Sequence, residues 1–177
     1  METDAVLIAR VLRTDDRQAF GELVRRHQPL VRGFLRRMLG GAADLADDLA
    51  QETFIKAHRG LHGYRGGATL PVWLCAIAAN ELRAEWRRRA RRAEFLEEDS
   101  GASLPVEVDP GTGRDLAAGL ASLSEAQRAA LVLCFEHGLT HEEAAAIMSC
   151  PLGTLKSHIS RGKARLRAWM DADRETA

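Results

Sequence analysis

Thr154, Lys156, Ser157, His158, Ser160, Arg161, Lys163 and Arg165 crowd one short stretch near the C-terminal end. From Leu152 to Met170 there are five Lys/Arg and no acid, a local charge of +5. Guanidinium, ammonium and hydroxyl donors at this density suit two tasks, hydrogen bonding to base edges and pairing with phosphates. Leu152, Leu155, Ile159, Leu166 and Met170 recur at spacings of three, four, seven and four, which is one face of a helix. The cations therefore lie on the other faces. A solvated amphipathic helix usually mixes both signs of charge, whereas a single sign on an otherwise neutral chain is arranged to meet a polyanion.

The elements that must position this helix are also legible. Thr140 with Glu143 forms a capping box that opens a short helix to about Met148. Ser149-Cys150-Pro151 breaks it, and proline is tolerated in the first turn of a new helix beginning near Pro151. The unit reads as a helix-turn-helix. Thr154, Lys156, Ser157, His158 and Arg161 then occupy the early turns, where a recognition helix meets base edges. Lys156 or Arg161 suits guanine. Lys163, Arg165 and Arg167 suit phosphates, which position without specifying.

Elsewhere the chain reads as all-α. Strand signals are nearly absent, aromatics are 5%, and Ala, Leu, Arg and Glu dominate. Asp15 or Asp16 caps a helix from Phe20 to Met38, in which Pro29 predicts a kink or a break. A second helix runs from about Ala42 or Asp44 to Arg59. A glycine-rich loop carrying Tyr64 and Arg65 follows, and a long helix runs from about Leu70 to Arg92. Periodicity stops between Glu97 and Gly113, where Pro and Gly sit among acids. It resumes at Leu116, and Ser124 with Gln127 is a second capping box. The expected architecture is two small helical domains, 1–92 and 115–177, joined by a flexible acidic linker over 93–114.

Net charge is zero, but it is segregated: −4 over Asp44–Glu52, +5 over Arg83–Arg92 and −6 over Glu94–Asp115. Three widely spaced cysteines form no CxxC pair, and the histidines lack metal-ligand spacing. No leader or membrane-length apolar run is visible, so a cytoplasmic protein without membrane insertion is expected. No nucleotide-binding glycine loop, nucleophile elbow or carboxylate–histidine constellation points to an enzyme, and no cofactor or metal is expected.

The order of these features resembles the extracytoplasmic-function group of the sigma-70 family of bacterial RNA polymerase sigma factors, over nearly the whole chain. Asp47-Asp48-Leu49-Ala50-Gln51-Glu52-Thr53-Phe54-Ile55-Lys56-Ala57 is similar to that family's core-binding helix. Val72-Trp73-Leu74, Ile77-Ala78-Ala79-Asn80 and Arg87-Arg88-Arg89 resemble its −10-element helix. Pro151 to Arg167 resembles its −35-reading helix. The resemblance implies a promoter-specificity subunit with three kinds of partner. The first is core RNA polymerase, through the β′ clamp coiled coil and the β subunit. The second is promoter DNA. The third is an anti-sigma factor that holds the chain inactive until a stress or envelope signal arrives.

Asp44, Asp47, Asp48, Gln51 and Glu52, with apolar Leu49 and Phe54, are the expected polymerase contacts. A helix N-terminus also attracts acids with no partner in view. Tyr64, Trp73, Ile77 and Asn80 are the expected base pocket, and Lys56, Arg83, Arg87 and Arg88 are expected to follow the strand backbone. Trp73 and Ile77 are equally readable as core, whereas Asn80 on an apolar face reads as a buried amide in need of partners.

The linker has a geometric test. Two promoter elements two helical turns apart are separated by about 70 Å. A 20-residue flexible segment spans about 25 Å on average and about 65–70 Å at full stretch. An acidic, self-repelling linker favours the longer reach. The rival reading is a conventional helix-turn-helix regulator whose N-terminal helices form a sensor or dimerisation module. A third is a helical adaptor with a solvated basic tail.

Overall fold

The structure, a computed structural model, describes residues 2–40, 42–97 and 114–176, with backbone alone for 93–97, 114–117 and 172–176. The expected linker falls mostly outside the described residues. The described residues form eight α-helices: α1 (Asp4–Thr14), α2 (Arg17–Met38), α3 (Ala43–Gly60), α4 (Leu70–Glu97), α5 (Arg114–Ala121), α6 (Glu125–Leu131), α7 (His141–Met148) and α8 (Leu152–Thr176). No strand occurs among the described residues.

In the N-terminal domain α1 to α4 bury one face each. Leu7, Ile8 and Val11 of α1 meet Leu23, Val31, Phe34 and Leu35 of α2, and Ala46, Leu49, Ala50 and Phe54 of α3 complete the wall. The buried side of α4 is Leu74, Cys75, Ala78, Ala79 and Leu82. Burial pushes the Cys75 thiol up to about 12, which leaves it protonated and inert. Asp16 caps α2 by accepting from the backbone N–H groups of Gln18 and Ala19, both at 3.0 Å. Its other oxygen accepts from Arg10, so a single carboxylate starts α2 and ties it to α1.

Two expectations differ. The sequence reading has no helix before Asp15, yet α1 is a full element with three buried side chains. Pro29 does not break α2, which runs on to Met38. The proline is exposed, while buried Leu23 on one side and Val31 on the other anchor both halves to the same core.

In the C-terminal domain both capping boxes form, at Ser124/Gln127 and Thr140/Glu143. The α6 ladder widens into a π turn over Val132–Glu136, with the His137 N–H donating to the Val132 carbonyl at 3.1 Å. The tight turn of the helix-turn-helix places Ser149 at φ 54°, a left-handed conformation that costs a serine more than a glycine. Leu155 and Ile159 of α8 are buried, but Met170 is 47% exposed, because the apolar stripe outruns the helices beneath it.

Gly162 fixes how close α8 lies to α6. A Cβ there would sit 3.1 Å from Leu131 Cδ1 and 3.3 Å from Gln127 Cβ. Glycine inside a helix costs about 1 kcal/mol against alanine, and the close approach offsets that cost. Gly162→Leu should destabilise the chain by about 1–3 kcal/mol through overpacking. Urea unfolding of wild type and variant checks this, and equal midpoints would remove the close-approach argument.

Candidate nucleic-acid interface

The helix-turn-helix presents its charge as expected. Thr154, Lys156, Ser160, Arg161, Lys163 and Arg165 are exposed, and Ser157 and His158 are partly so. Among the described residues, none of Lys156, Arg161, Lys163, Arg165 and Arg167 pairs with a carboxylate. Arg161 donates from Nε and Nη2 to the Ser157 hydroxyl, at 3.1 and 2.6 Å. This leaves Nη1 without a partner among the described residues. Lys163 differs from its neighbours, because its Nζ lies 4.1 Å from the centroid of exposed Phe135. That contact holds the ammonium at the junction of α8 with the π turn.

The N-terminal domain handles its cations differently. Lys56 of α3 donates to both Glu81 oxygens at 2.6 Å, and Glu81 on α4 is only 9% exposed. Arg88 and Arg89 both donate to Glu85 at 2.9 Å. Partial burial works to raise the Glu85 carboxyl, but the two arginines outweigh it and hold it below its ordinary range. Arg83 donates to Asn80 Oδ1 at 2.6 Å and to the Ile147 carbonyl at 2.7 Å. Of the cations expected to follow a strand, Lys56, Arg83 and Arg88 are thus engaged within the protein. Arg87 is exposed and unpaired among the described residues.

The expected base pocket is assembled only in part. Tyr64 and Trp73 are in contact, with ring centroids 5.1 Å apart and planes tilted by 45°. The Tyr64 hydroxyl donates to the Ala68 carbonyl at 2.7 Å and so closes the glycine loop. Both aromatics and Ile77 are partly buried. Asn80 is not the buried amide expected of it. It is exposed, because the face of α4 that turns into the core is the one bearing Ala78, Ala79 and Leu82.

On α3, Asp44, Asp48, Gln51 and Glu52 form an exposed stripe. Asp47 lies beside it in ion pairs with Arg32 and Arg36 of α2. The Arg32 hydrogen bond holds the Asp47 carboxyl below its ordinary range. Leu49 and Phe54, expected as apolar contacts, are 3% and 8% exposed and belong to the core. Ile55, at 42%, is the apolar residue this stripe offers. Sequence reasoning passed over Ile55, although the spacing Asp44, Asp48, Glu52, Ile55 carries the signal.

Comparison with known proteins bears on both halves. Residues 23–92 match the family model described as Sigma-70 region 2, and residues 114–166 match that of Sigma-70, region 4. The sigma factor EcfG of Rhodopseudomonas palustris is 36% identical over 140 residues, 76% of each chain. The sigma-H factor of Pseudomonas aeruginosa is 35% identical over 92% of this chain and 91% of its own. Among solved structures, the sigma factor RpoE of Bartonella quintana, in complex with the anti-sigma factor NepR, superposes with a TM-score of 0.73 at 32% identity. That match covers 87% of this chain and 98% of the other. CnrH, in complex with the cytosolic domain of CnrY, gives 0.71 at 28% identity, covering 97% and 99%.

The Lys56–Glu81 pair separates a structural role from a DNA role. If Glu81 depends on Lys56, Lys56→Ala should cost about 1–2 kcal/mol, reduced from the fully buried case because the lysine is half exposed. Chemical denaturation without DNA is the check. An unchanged midpoint would return Lys56 to the surface cations.

Proposed function

The chain belongs to the extracytoplasmic-function sigma factors of the sigma-70 family, and from that premise we propose how its surfaces divide the work. It directs core RNA polymerase to specific promoters and assists melting, with no catalysis of its own. The observation that carries this reading is the pairing of two family regions, in order, with a C-terminal helix on which Lys156, Arg161, Lys163, Arg165 and Arg167 have no carboxylate partner among the described residues. The conventional-regulator reading loses its ground because residues 23–92 are a region 2 and not a sensor module.

The exposed stripe Asp44, Asp48, Gln51, Glu52 and Ile55 faces the polymerase. Single exposed ion pairs contribute about 0–1 kcal/mol each, so the apolar Ile55 and the number of acids both matter. Tyr64 and Trp73 give an aromatic wall against which an unstacked base of the −10 element packs, offsetting an unstacking cost of a few kcal/mol. Arg87 is the cation ready for that strand. On α8, Arg161 reads a base edge of the −35 element, while Arg165 and Arg167 hold phosphates. Two solved relatives are bound to anti-sigma factors or to the cytosolic domain of a partner, which supports an anti-sigma factor for this chain too. No described helix is long and apolar enough to cross a membrane.

Run-off transcription with purified core polymerase on pooled genomic fragments tests the reading. Wild type should yield discrete new transcripts, and Asp48→Lys with Glu52→Lys should reduce them at least ~10-fold, about 1.4 kcal/mol. Asp47 is left intact because it is tied to Arg32. No transcripts with wild type, alongside specific duplex binding without polymerase, would overturn the sigma reading.

The recognition helix has its own test in binding titrations at several salt concentrations. Arg161→Ala should relax preference at one −35 position by about 1–3 kcal/mol. Arg165→Ala should weaken all sequences alike and lower the salt slope by about 1. The reverse pattern would exchange their roles.

A further inference from the structure

On α8, Leu155, Ile159 and Gly162 are buried against the core of the C-terminal domain. Each residue advances a helix by about 100°, so Ser157 and Arg161 lie on the far side of α8, one turn apart. Side chains of a helix lean toward its N-terminal end, which lays the Arg161 side chain over the turn that bears Ser157. There the Ser157 hydroxyl oxygen accepts from Arg161 Nε at 3.1 Å and from Arg161 Nη2 at 2.6 Å. Lys156, Arg165 and Arg167 make no side-chain hydrogen bond among the described residues, and Lys163 rests on the Phe135 ring. Of the cations from Lys156 to Arg167, Arg161 is the one that hydrogen bonds hold in place.

Which nitrogens are held matters. A guanidinium offers two bidentate forks, a side fork of Nε with Nη2 and an end fork of Nη1 with Nη2. Ser157 takes the side fork with a single acceptor. Both Nη1 hydrogens and the second Nη2 hydrogen are left, and together they make the end fork. That fork matches the paired acceptors O6 and N7 of a guanine in the major groove.

We infer that Ser157 is a positioning residue for −35 reading, which occupies the side fork of Arg161 and so presents the end fork to a guanine. The inference rests on the base-reading role of Arg161 proposed above. An arginine free to turn can offer either fork to any acceptor within reach, including a phosphate, and it surrenders rotamer freedom when it binds. One held beforehand surrenders less and meets the base in one geometry. The rival role for Ser157 is a direct DNA contact, because its hydroxyl hydrogen is not used by the two bonds it accepts. The two roles differ in whether Ser157 needs Arg161.

A double-mutant cycle on the holoenzyme, assembled from the full chain and core polymerase, separates them. Affinity is measured on promoters carrying each base pair in turn at each −35 position. Ser157→Ala should lower discrimination about 3- to 10-fold at the position that Arg161→Ala relaxes, and nowhere else. In the Arg161→Ala background it should change nothing further. Ser157→Thr, which keeps the hydroxyl, should discriminate like wild type. In the free chain, NMR should show the Arg161 Nε–H exchanging with water more slowly than that of Arg165, and Ser157→Ala should bring the two level. An equal loss in both backgrounds, no loss in either, or an Arg161 Nε–H that exchanges as fast as that of Arg165 in wild type would overturn the inference alone. So would a −35 preference that Arg161→Ala leaves intact. A wild-type holoenzyme with no preference at any −35 position would overturn the promoter reading and the inference together.

Discussion

The small side chains along α4 set the terms for the rest of the N-terminal domain. Cys75, Ala78 and Ala79 let the helix backbone lie close to its neighbours, while Leu74 and Leu82 fill the space on either side. With that face spent on the core, Trp73, Ile77 and Asn80 are carried round to the rim, and Arg83 and Trp86 come to the edge that meets α7. Bulkier residues on the buried face would push α4 outward and move all five at once. The positions of the functional side chains are therefore a consequence of packing on the opposite side of the same helix.

Electrostatics divides the molecule along a different line. In the N-terminal domain long-range pairs join one helix to the next: Arg10 with Asp16, Arg26 and His27 with Asp4, Arg32 with Asp47, Lys56 with Glu81. Exposed pairs of this sort add little stability each. Their larger effect is to cancel charge where one helix packs on the next. The stripe on α3 and the outer faces of α8 carry charge that no such pair cancels among the described residues, one acidic and one basic. A net charge of zero is the sum of these two unlike surfaces and says little about either.

What the sequence disclosed was mostly local. The capping boxes at Ser124 and Thr140, the break at Ser149-Cys150-Pro151 and the +5 helix depend on neighbours within four residues, and all are present. What it withheld needed the third dimension. Periodicity groups Leu49 with Phe54, yet it cannot say that α2 and α4 cover that face and leave Ile55 outside. Asn80 was misplaced for the same reason. The partners of Asp47 and Lys56 lie 15 and 25 residues away in sequence, across a helix boundary, where no spacing rule reaches. The short α1 went unread because its three buried residues, Leu7, Ile8 and Val11, are too few to establish a period without the core they fill.

The π turn at Val132–Glu136 has a consequence of phase. It carries one residue more than a regular turn would, and each residue of an α-helix advances the direction of its side chains by about 100°. Ahead of the turn, Ala130 and Leu131 point into the C-terminal core. At its end Glu136, and just past it His137, point at α2. A chain shortened by one residue here would keep α6 and lose this angular offset at its end, turning Glu136 and His137 away from α2. The irregular turn thus ends α6 with its last side chains rotated off the helix's own core face and toward α2, in the manner of a gear tooth cut out of step.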